Sequence, residues 1–352
     1  MPENNLHISK YSSKILIAVG IIIVFFILIS LLYNISHLLL LLFISILIAI
    51  FLDGTASYLH KKFKISHPWA IFIVIVLVIC LIGISGYLLG PPVNNQMSKL
   101  AESIPQAIND IESSLRQSKA GRFILSGVPD FSGKDNGKTI ELFTGAFSSV
   151  LGGLVDAILV LVLGIYLSIK PSLYIDNLIL LIPQKKRERA HEITWKLGHA
   201  LKYWLLGRLI IMVSMTILTT VVLFVIGLPL PFALGIITGM LAFVPYLGAF
   251  IAFVPVLLVA LSESSTMAVY ASIAYVVLHN IEGYVLTPII QEHVISIPPG
   301  FLLVMQIIMY ILFGPLGVLV ATPFGVVIII LVQTTYIEDI LDDRVKVLGE
   351  KD

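Results

Sequence analysis

The chain has 352 residues, 58% of them hydrophobic and 12% charged, with a mean hydropathy of +1.02. Its apolar stretches are too long and too many for the few polar residues to wrap, which excludes a soluble globular fold and makes the lipid bilayer the first expected partner. A formal net charge of +1 excludes the basic field a nucleic-acid partner needs, and a single cysteine, Cys80, excludes an intrachain disulfide.

Lys10 and Lys14 precede an apolar run from Ile15 to Leu32. It is too long for a signal peptide and no small-residue cleavage site follows, so it reads as a retained first span. A second run, Ile35 to Leu52, follows after only Tyr33 and Asn34, which predicts a tight antiparallel helical hairpin. With a third run, Trp69 to Leu89, these spans form an N-terminal membrane unit over 1–90.

The next segment, 91–145, is hydrophilic. Val93, Met97, Leu100, Ile104, Ile108, Ile111 and Leu115 recur at three- or four-residue spacing there, predicting an amphipathic helix with Glu112 and Arg116 as an i,i+4 pair. A turn-rich stretch, Ser126 to Lys138, leads towards a fourth span over 146–169. The segment 170–204 then concentrates positive charge in Lys170, Lys185, Lys186, Arg187, Arg189, Lys196 and Lys202, and Arg208 follows closely. Cytoplasmic loops accumulate Lys and Arg, so this segment is expected inside, together with Lys61, Lys62, Lys64 and the N-terminal lysines, and 91–145 outside. Ala190, Ile193, Leu197, Leu201 and Trp204 share one helical face, predicting a surface helix that runs into a fifth span, Leu205 to Ile226. His191-Glu192 starts a zinc-protease-like pattern, but Trp195 stands where the second histidine is required, so no metal is expected.

Between Arg208 and Arg344 there is no Lys or Arg, and Pro and Gly must guide the reading. Pro231 to Leu261 is too long for one straight crossing of a core about 30 Å thick, and it breaks at Val244-Pro245-Tyr246-Leu247-Gly248. Gly300 to Val332 repeats the pattern, with Gly314-Pro315-Leu316-Gly317 at its centre and Pro323 beyond. Both are expected to fold back as re-entrant helical hairpins around an ordinary span from Met267 to about Leu286. The fold expected is thus an all-α polytopic membrane protein: about five regular spans, one further span and two Pro/Gly-broken hairpins. Residues 205–337 form its transport core and 338–352 a cytoplasmic tail.

No nucleophile with a matched base, phosphate loop or His/Cys cluster emerges, so neither enzymatic activity nor a cofactor is expected. The chemistry lies in intramembrane polar groups. Asp156 stands near the middle of the fourth span without a cation in that span, which suits an ion or proton site as well as a structural hydrogen bond. His279, Asn280 and Glu282 cluster at a span end, followed by Thr287-Pro288 and Gln291-Glu292-His293. Lying in a stretch of more than a hundred residues without Lys or Arg, Glu282 is expected to lack a permanent counter-ion. Pro245 and Pro323 free backbone carbonyls, while Gly248 and Gly317 allow sharp reversal, so Pro245, Tyr246 and Gly248 join the binding candidates and Gly314, Pro315, Gly317 and Pro323 mark the second break. Gly235-x-x-x-Gly239 and Gly86-x-x-x-Gly90 offer close helix packing.

Leu181-Ile182-Pro183-Gln184-Lys185-Lys186-Arg187-Glu188-Arg189, Phe243-Val244-Pro245-Tyr246-Leu247-Gly248, and Asn280-Ile281-Glu282-Gly283-Tyr284 with Thr287-Pro288 together resemble the autoinducer-2 exporter family of bacterial permeases. Phe313-Gly314 to Pro323 fits its closing pattern. The resemblance implies a multi-pass permease of the bacterial inner membrane, some members exporting the quorum-sensing signal autoinducer-2 and others exchanging sodium for protons. It also implies a homo-oligomer, a pentamer in some members. The chain departs from the family where Pro298 stands in place of a usual histidine and where Lys170-Pro171-Ser172 replaces an acidic sequence. The expectation is a secondary transporter of a small molecule or ion. Sodium/proton antiport and an oligomeric scaffold or channel are the competing readings.

Overall fold

The computed structural model describes residues 4–80, 154–290 and 297–342, with isolated helical positions between residues 83 and 113. The described residues form no strand. In chain order the helices are α1 (Asn4–Phe63), α2 (His67–Cys80), α3 (Leu154–Ile169), α4 (Pro171–Ile179), α5 (Arg187–Val225), α6 (Pro231–Leu241), α7 (Leu247–Glu263), α8 (Ser265–Ile281), α9 (Thr287–Ile290) and α10 (Pro299–Leu331). By length and composition four stretches could cross a bilayer, and α3 with α4, bent by 82° at Lys170-Pro171, is apolar and long enough only as a pair, as a broken span or a re-entrant loop. This is a polytopic membrane protein. The expected amphipathic helix around 93–115, the turn-rich 126–138, Gly86 and Gly90, the start of the fourth span at 146–153, and Gln291-Glu292-His293 lie outside the described residues.

One expectation fails at the N-terminus. The first two apolar runs form a single helix, α1, uninterrupted through Tyr33 and Asn34. Two polar residues without Gly or Pro do not reverse a chain, because each keeps its backbone donor and helical φ/ψ. The part of α1 after Ile35 packs against α3, where Gly164 brings the two backbones close enough to touch Ile48 and Ser45.

Both broken runs do fold back. In the first, Ala233 and Leu234 of α6 share one buried cluster with Val256, Val259 and Ala260 of α7. A straight helix would hold Ala233 and Ala260 roughly 40 Å apart, so the two helices are arms of a hairpin. Its turn is tight enough that Gly248 lies against the Leu241 carbonyl, where no Cβ fits. In the second, Gly314 (φ 64°, ψ −151°) divides α10 in a conformation open essentially to glycine alone. Phe301 reaches within 3.6 Å of the Cβ position of Gly325, a contact across the two arms. The reversal falls at Gly314, the first residue of the Gly314-Pro315-Leu316-Gly317 break.

The first hairpin is fastened to α5, which as expected continues from its basic start through the fifth span in one helix of 39 residues. Gly235 and Gly239 of α6 lie directly on Thr220 and Thr216 of α5, so the small-residue spacing serves packing within the chain. At the other end of α5, Arg189 joins Glu338 at 2.6 Å and Asp339 at 2.9 Å. The start of the C-terminal tail therefore lies beside the basic segment.

Candidate functional site

The turn of the first hairpin is built from Phe243 to Leu247. The Leu247 N–H donates to the Pro245 carbonyl at 2.8 Å across Tyr246, whose φ of 61° and ψ of −65° make a γ-turn of the rare positive-φ kind. Such a backbone costs of order 1–3 kcal/mol and persists only where its surroundings hold it. Three side chains do so. Arg208 Nε of α5 donates to the Phe243 carbonyl at 3.1 Å, and Gln306 Nε2 of α10 donates to the Pro245 carbonyl at 2.9 Å. Trp204 of α5 meets the Phe243 ring edge-on, with ring centroids 5.6 Å apart.

Beside this turn, α8 ends in a widened π-helical turn, Glu282–Leu286. Pro288 explains the widening, since its ring removes a backbone donor and crowds the carbonyl four residues earlier. The turn carries Glu282 inward to face Arg208. Glu282 Oε1 lies 3.7 Å from Arg208 Nη1 and its Oε2 lies 3.7 Å from His279 Nε2. The Arg208 side chain is 4% exposed and the Glu282 side chain 13%. Both distances exceed those of charge-assisted hydrogen bonds, about 2.7–2.9 Å. Nε to Phe243 is thus the one hydrogen bond the described residues give the guanidinium, and they give the carboxylate none. His279 has its own anchor: Nδ1 donates to the Tyr275 carbonyl at 3.1 Å, and its ring stacks on Tyr275 at 4.2 Å. Tyr275 in turn donates to the Ala249 carbonyl at 2.9 Å, closing the link to the hairpin.

Between these elements lies a cavity of about 660 Å³. Trp204, Phe250, Phe253 and Tyr246 give it aromatic walls, while Arg208, His279, Asn280, Glu282 and Thr322 supply polar groups. Thr322 is 3% exposed, and its hydroxyl has no partner among the described residues.

Of the residues singled out in the sequence, Glu282, Asn280, His279, Pro245 and Tyr246 meet in this cavity. Gly248 supports it from behind by letting α7 approach α6. Gly314 and Gly317 shape the second hairpin's turn, with Pro315 starting its second arm and Pro323 buried beside Thr322. Asp156 stands apart. It occupies the first turn of α3, is 39% exposed, and pairs with His37 of α1 at 3.0 Å, which gives it a partner without any solute or ion.

The sequence reading missed Arg208 and Gln306. Arg208 is the counter-ion that Glu282 was expected to lack. It was counted with the cytoplasmic cations, although Leu205, Leu206, Leu209 and Ile210 around it mark a cation inside an apolar run. Gln306, fully buried, gives the same signal as a lone amide in the apolar stretch from Phe301 to Phe313.

Comparison with known proteins follows the same outline. A family model described as "AI-2E family transporter" matches residues 18–337. A Bacillus subtilis (strain 168) protein named "Putative transport protein YrrI" is 25% identical over 295 residues, covering 80% of this chain and 82% of that one. A second protein of that organism, YueF, with the same wording in its name, is 22% identical over 279 residues, covering 75% and 76%. A Thermotoga maritima transport protein, so named with the same qualifier, is 34% identical over a shorter stretch of 102 residues, 29% of this chain and 32% of its own.

Proposed function

This chain belongs to the AI-2E family of transporters, and from that premise we propose that it is a secondary transporter whose small polar solute passes through the cavity between the first hairpin's turn and α8. The observation that carries this reading is the buried Arg208–Glu282 pair, with its hydrogen-bonding capacity largely unused by the described residues. A buried ion pair is costly unless its remaining donors and acceptors are satisfied. A solute with hydroxyl, carbonyl or charged groups satisfies them on arrival. Aromatic walls accept its apolar face while Asn280 and Thr322 offer polar contacts.

Export of an autoinducer-2-like molecule, rich in hydroxyl groups, fits such a cavity. A bacterial inner-membrane location and a homo-oligomer, of which a pentamer is one form, belong to the same reading. Sodium/proton antiport fits less well, because a guanidinium beside the carboxylate repels a bare cation. The test is Glu282→Gln in proteoliposomes loaded with autoinducer-2. The substitution preserves shape and removes charge, so expression and oligomeric state persist while flux falls or loses its pH dependence. Wild-type flux with unchanged pH dependence would make Glu282 an ordinary interfacial residue.

A further inference from the structure

The transporter reading leaves open what the Arg208–Glu282–His279 arrangement selects, and its geometry is specific enough to say. The Tyr275 carbonyl can only accept, so His279 Nδ1 carries a hydrogen, and the neutral ring presents its Nε2 lone pair towards Glu282. A carboxylate and an imidazole lone pair facing one another at 3.7 Å are both acceptors. One proton on the pair turns that repulsion into attraction. On the other side, Arg208 holds a permanent charge, gives one of its five N–H donors to the Phe243 carbonyl, and is among the residues that line the cavity.

The charge count follows. With Glu282 ionised and His279 neutral, Arg208 and Glu282 cancel. When the Glu282–His279 pair takes a proton, the site carries +1 and is complementary to one negative charge. An anion bound beside an ionised Glu282 would place two negative charges against one guanidinium in a largely desolvated cavity, which is unfavourable. An anion bound with the proton restores neutrality, and only neutral forms of the site change exposure cheaply across a bilayer.

We infer that the cavity carries a small hydroxylated monocarboxylate together with one proton, Arg208 receiving the carboxylate and the Glu282–His279 pair the proton. No covalent bond changes. The proton arrives from water on the loading side, rests between Glu282 Oε2 and His279 Nε2, and leaves to water with the anion. Among the described residues, Arg208 from α5, Tyr246 from the hairpin turn, and Tyr275 and His279 from α8 are the charged or titratable groups around Glu282. Described α9 has no titratable residue, and α10 contributes the non-titrating Thr322 to the cavity wall. The hydroxyl requirement comes from Asn280 and the Thr322 hydroxyl, which has no partner among the described residues.

The inference rests on the transporter reading, and the test separates the two. Purified full-length protein in proteoliposomes is offered glycerate, lactate and gluconate as probes, xylitol as a neutral polyol, autoinducer-2, and a sodium gradient, with a pH dye in the lumen. Uptake of at least one acid is expected to be driven by an acid exterior, to acidify the lumen, and to ignore sodium. Arg208→Gln lowers that uptake roughly 10- to 100-fold, the equivalent of a lost hydrogen bond to a charged group. Glu282→Gln retains anion-for-anion counterflow, which itself shows that the variant is folded, but loses the proton drive. His279→Gln displaces the pH of half-maximal uptake, whereas a merely structural histidine would lower uptake equally at every pH. Transport of xylitol or autoinducer-2 without protons, with all three acids left outside, overturns the inference and leaves the transporter standing. Acid uptake driven by sodium alone overturns it too. If no probe moves, the transporter reading falls with it.

Discussion

Arg189 and Arg208 stand on one helix, α5, in opposite circumstances. Arg189 engages both terminal nitrogens: it donates to Glu192 and Glu338 at 2.6 Å each and to the Thr334 carbonyl at 3.0 Å, with Asp339 at 2.9 Å, while its Nε has no partner among the described residues. Hydrogen bonding to Glu338 first, then to Glu192, raises its pKa further above an already high value. Arg208, roughly 28 Å further along the helix axis, is more deeply buried yet among the described residues has one hydrogen bond and a loose carboxylate at 3.7 Å. An arginine that fastens two segments turns both terminal nitrogens to carboxylates and a carbonyl of the protein. One that serves a passing solute keeps them available, and the contrast supports the proposal that the cavity is the working part of this chain.

The most severe way to break the comparison is Arg208→Leu. It strands Glu282 in a desolvated site and is expected to cost about 3–5 kcal/mol, read as a large drop in the thermal midpoint of the detergent-solubilised protein. The double variant Arg208→Leu/Glu282→Leu should recover most of that loss while remaining inactive. If the single variant unfolds like wild type, the pair is not buried as described.

Gln306→Leu comes next. It removes the hydrogen bond that steadies the Pro245 carbonyl at the γ-turn, an interaction worth about 1 kcal/mol. Solute affinity should weaken with little change in maximal rate. A change in maximal rate alone would mean that Gln306 acts on movement and not on the binding geometry.

Arg189→Gln is expected to cost about 1 kcal/mol or less, because solvent screens a cluster at the surface. Flux per folded molecule should stay within about twofold of wild type, and the loss should shrink in high salt. Glu192 gives the smallest effect. Its pKa is held below the ordinary carboxylate range by hydrogen bonds from Arg189 and then Lys196, so its contribution is present above that range and disappears as pH falls through the depressed value. Its side chain is 45% exposed, and Glu192→Gln should therefore change stability by about 0.3 kcal/mol or less at neutral pH. A larger pH-dependent effect from Glu192 than from Glu282 would reverse the comparison.

The sequence made the hairpins legible because length and local backbone chemistry act together at Pro245 and Gly314. An apolar run too long to cross once, with a break at its centre, has few other ways to lie in a bilayer. It also brought forward most of the cavity's polar residues, since His279, Asn280 and Glu282 are neighbours in the chain. The long-range pairings were not legible. Nothing local ties Asp156 to His37, 119 residues away, so an acid already partnered on α3 looked as promising as Glu282. Arg208 was visible as a residue but was weighed by a rule that counts cations near span ends without asking what flanks each one. At Tyr33-Asn34 the opposite error arose: two polar residues were given the power to turn a chain that a helix accommodates without loss.

The central claim, that solute passes beside Glu282 and not beside Asp156, is tested most directly by single cysteines in a Cys80→Ala background. Asn280→Cys and Asp156→Cys are each reacted to completion with a bulky water-soluble thiol reagent, and flux is measured for whichever of autoinducer-2 and glycerate the wild-type protein moves. Modification at position 280 should stop flux and be slowed by excess solute, whereas modification at position 156 should leave flux largely intact. Full labelling at position 280 with flux unchanged, or a block confined to position 156, would contradict the account.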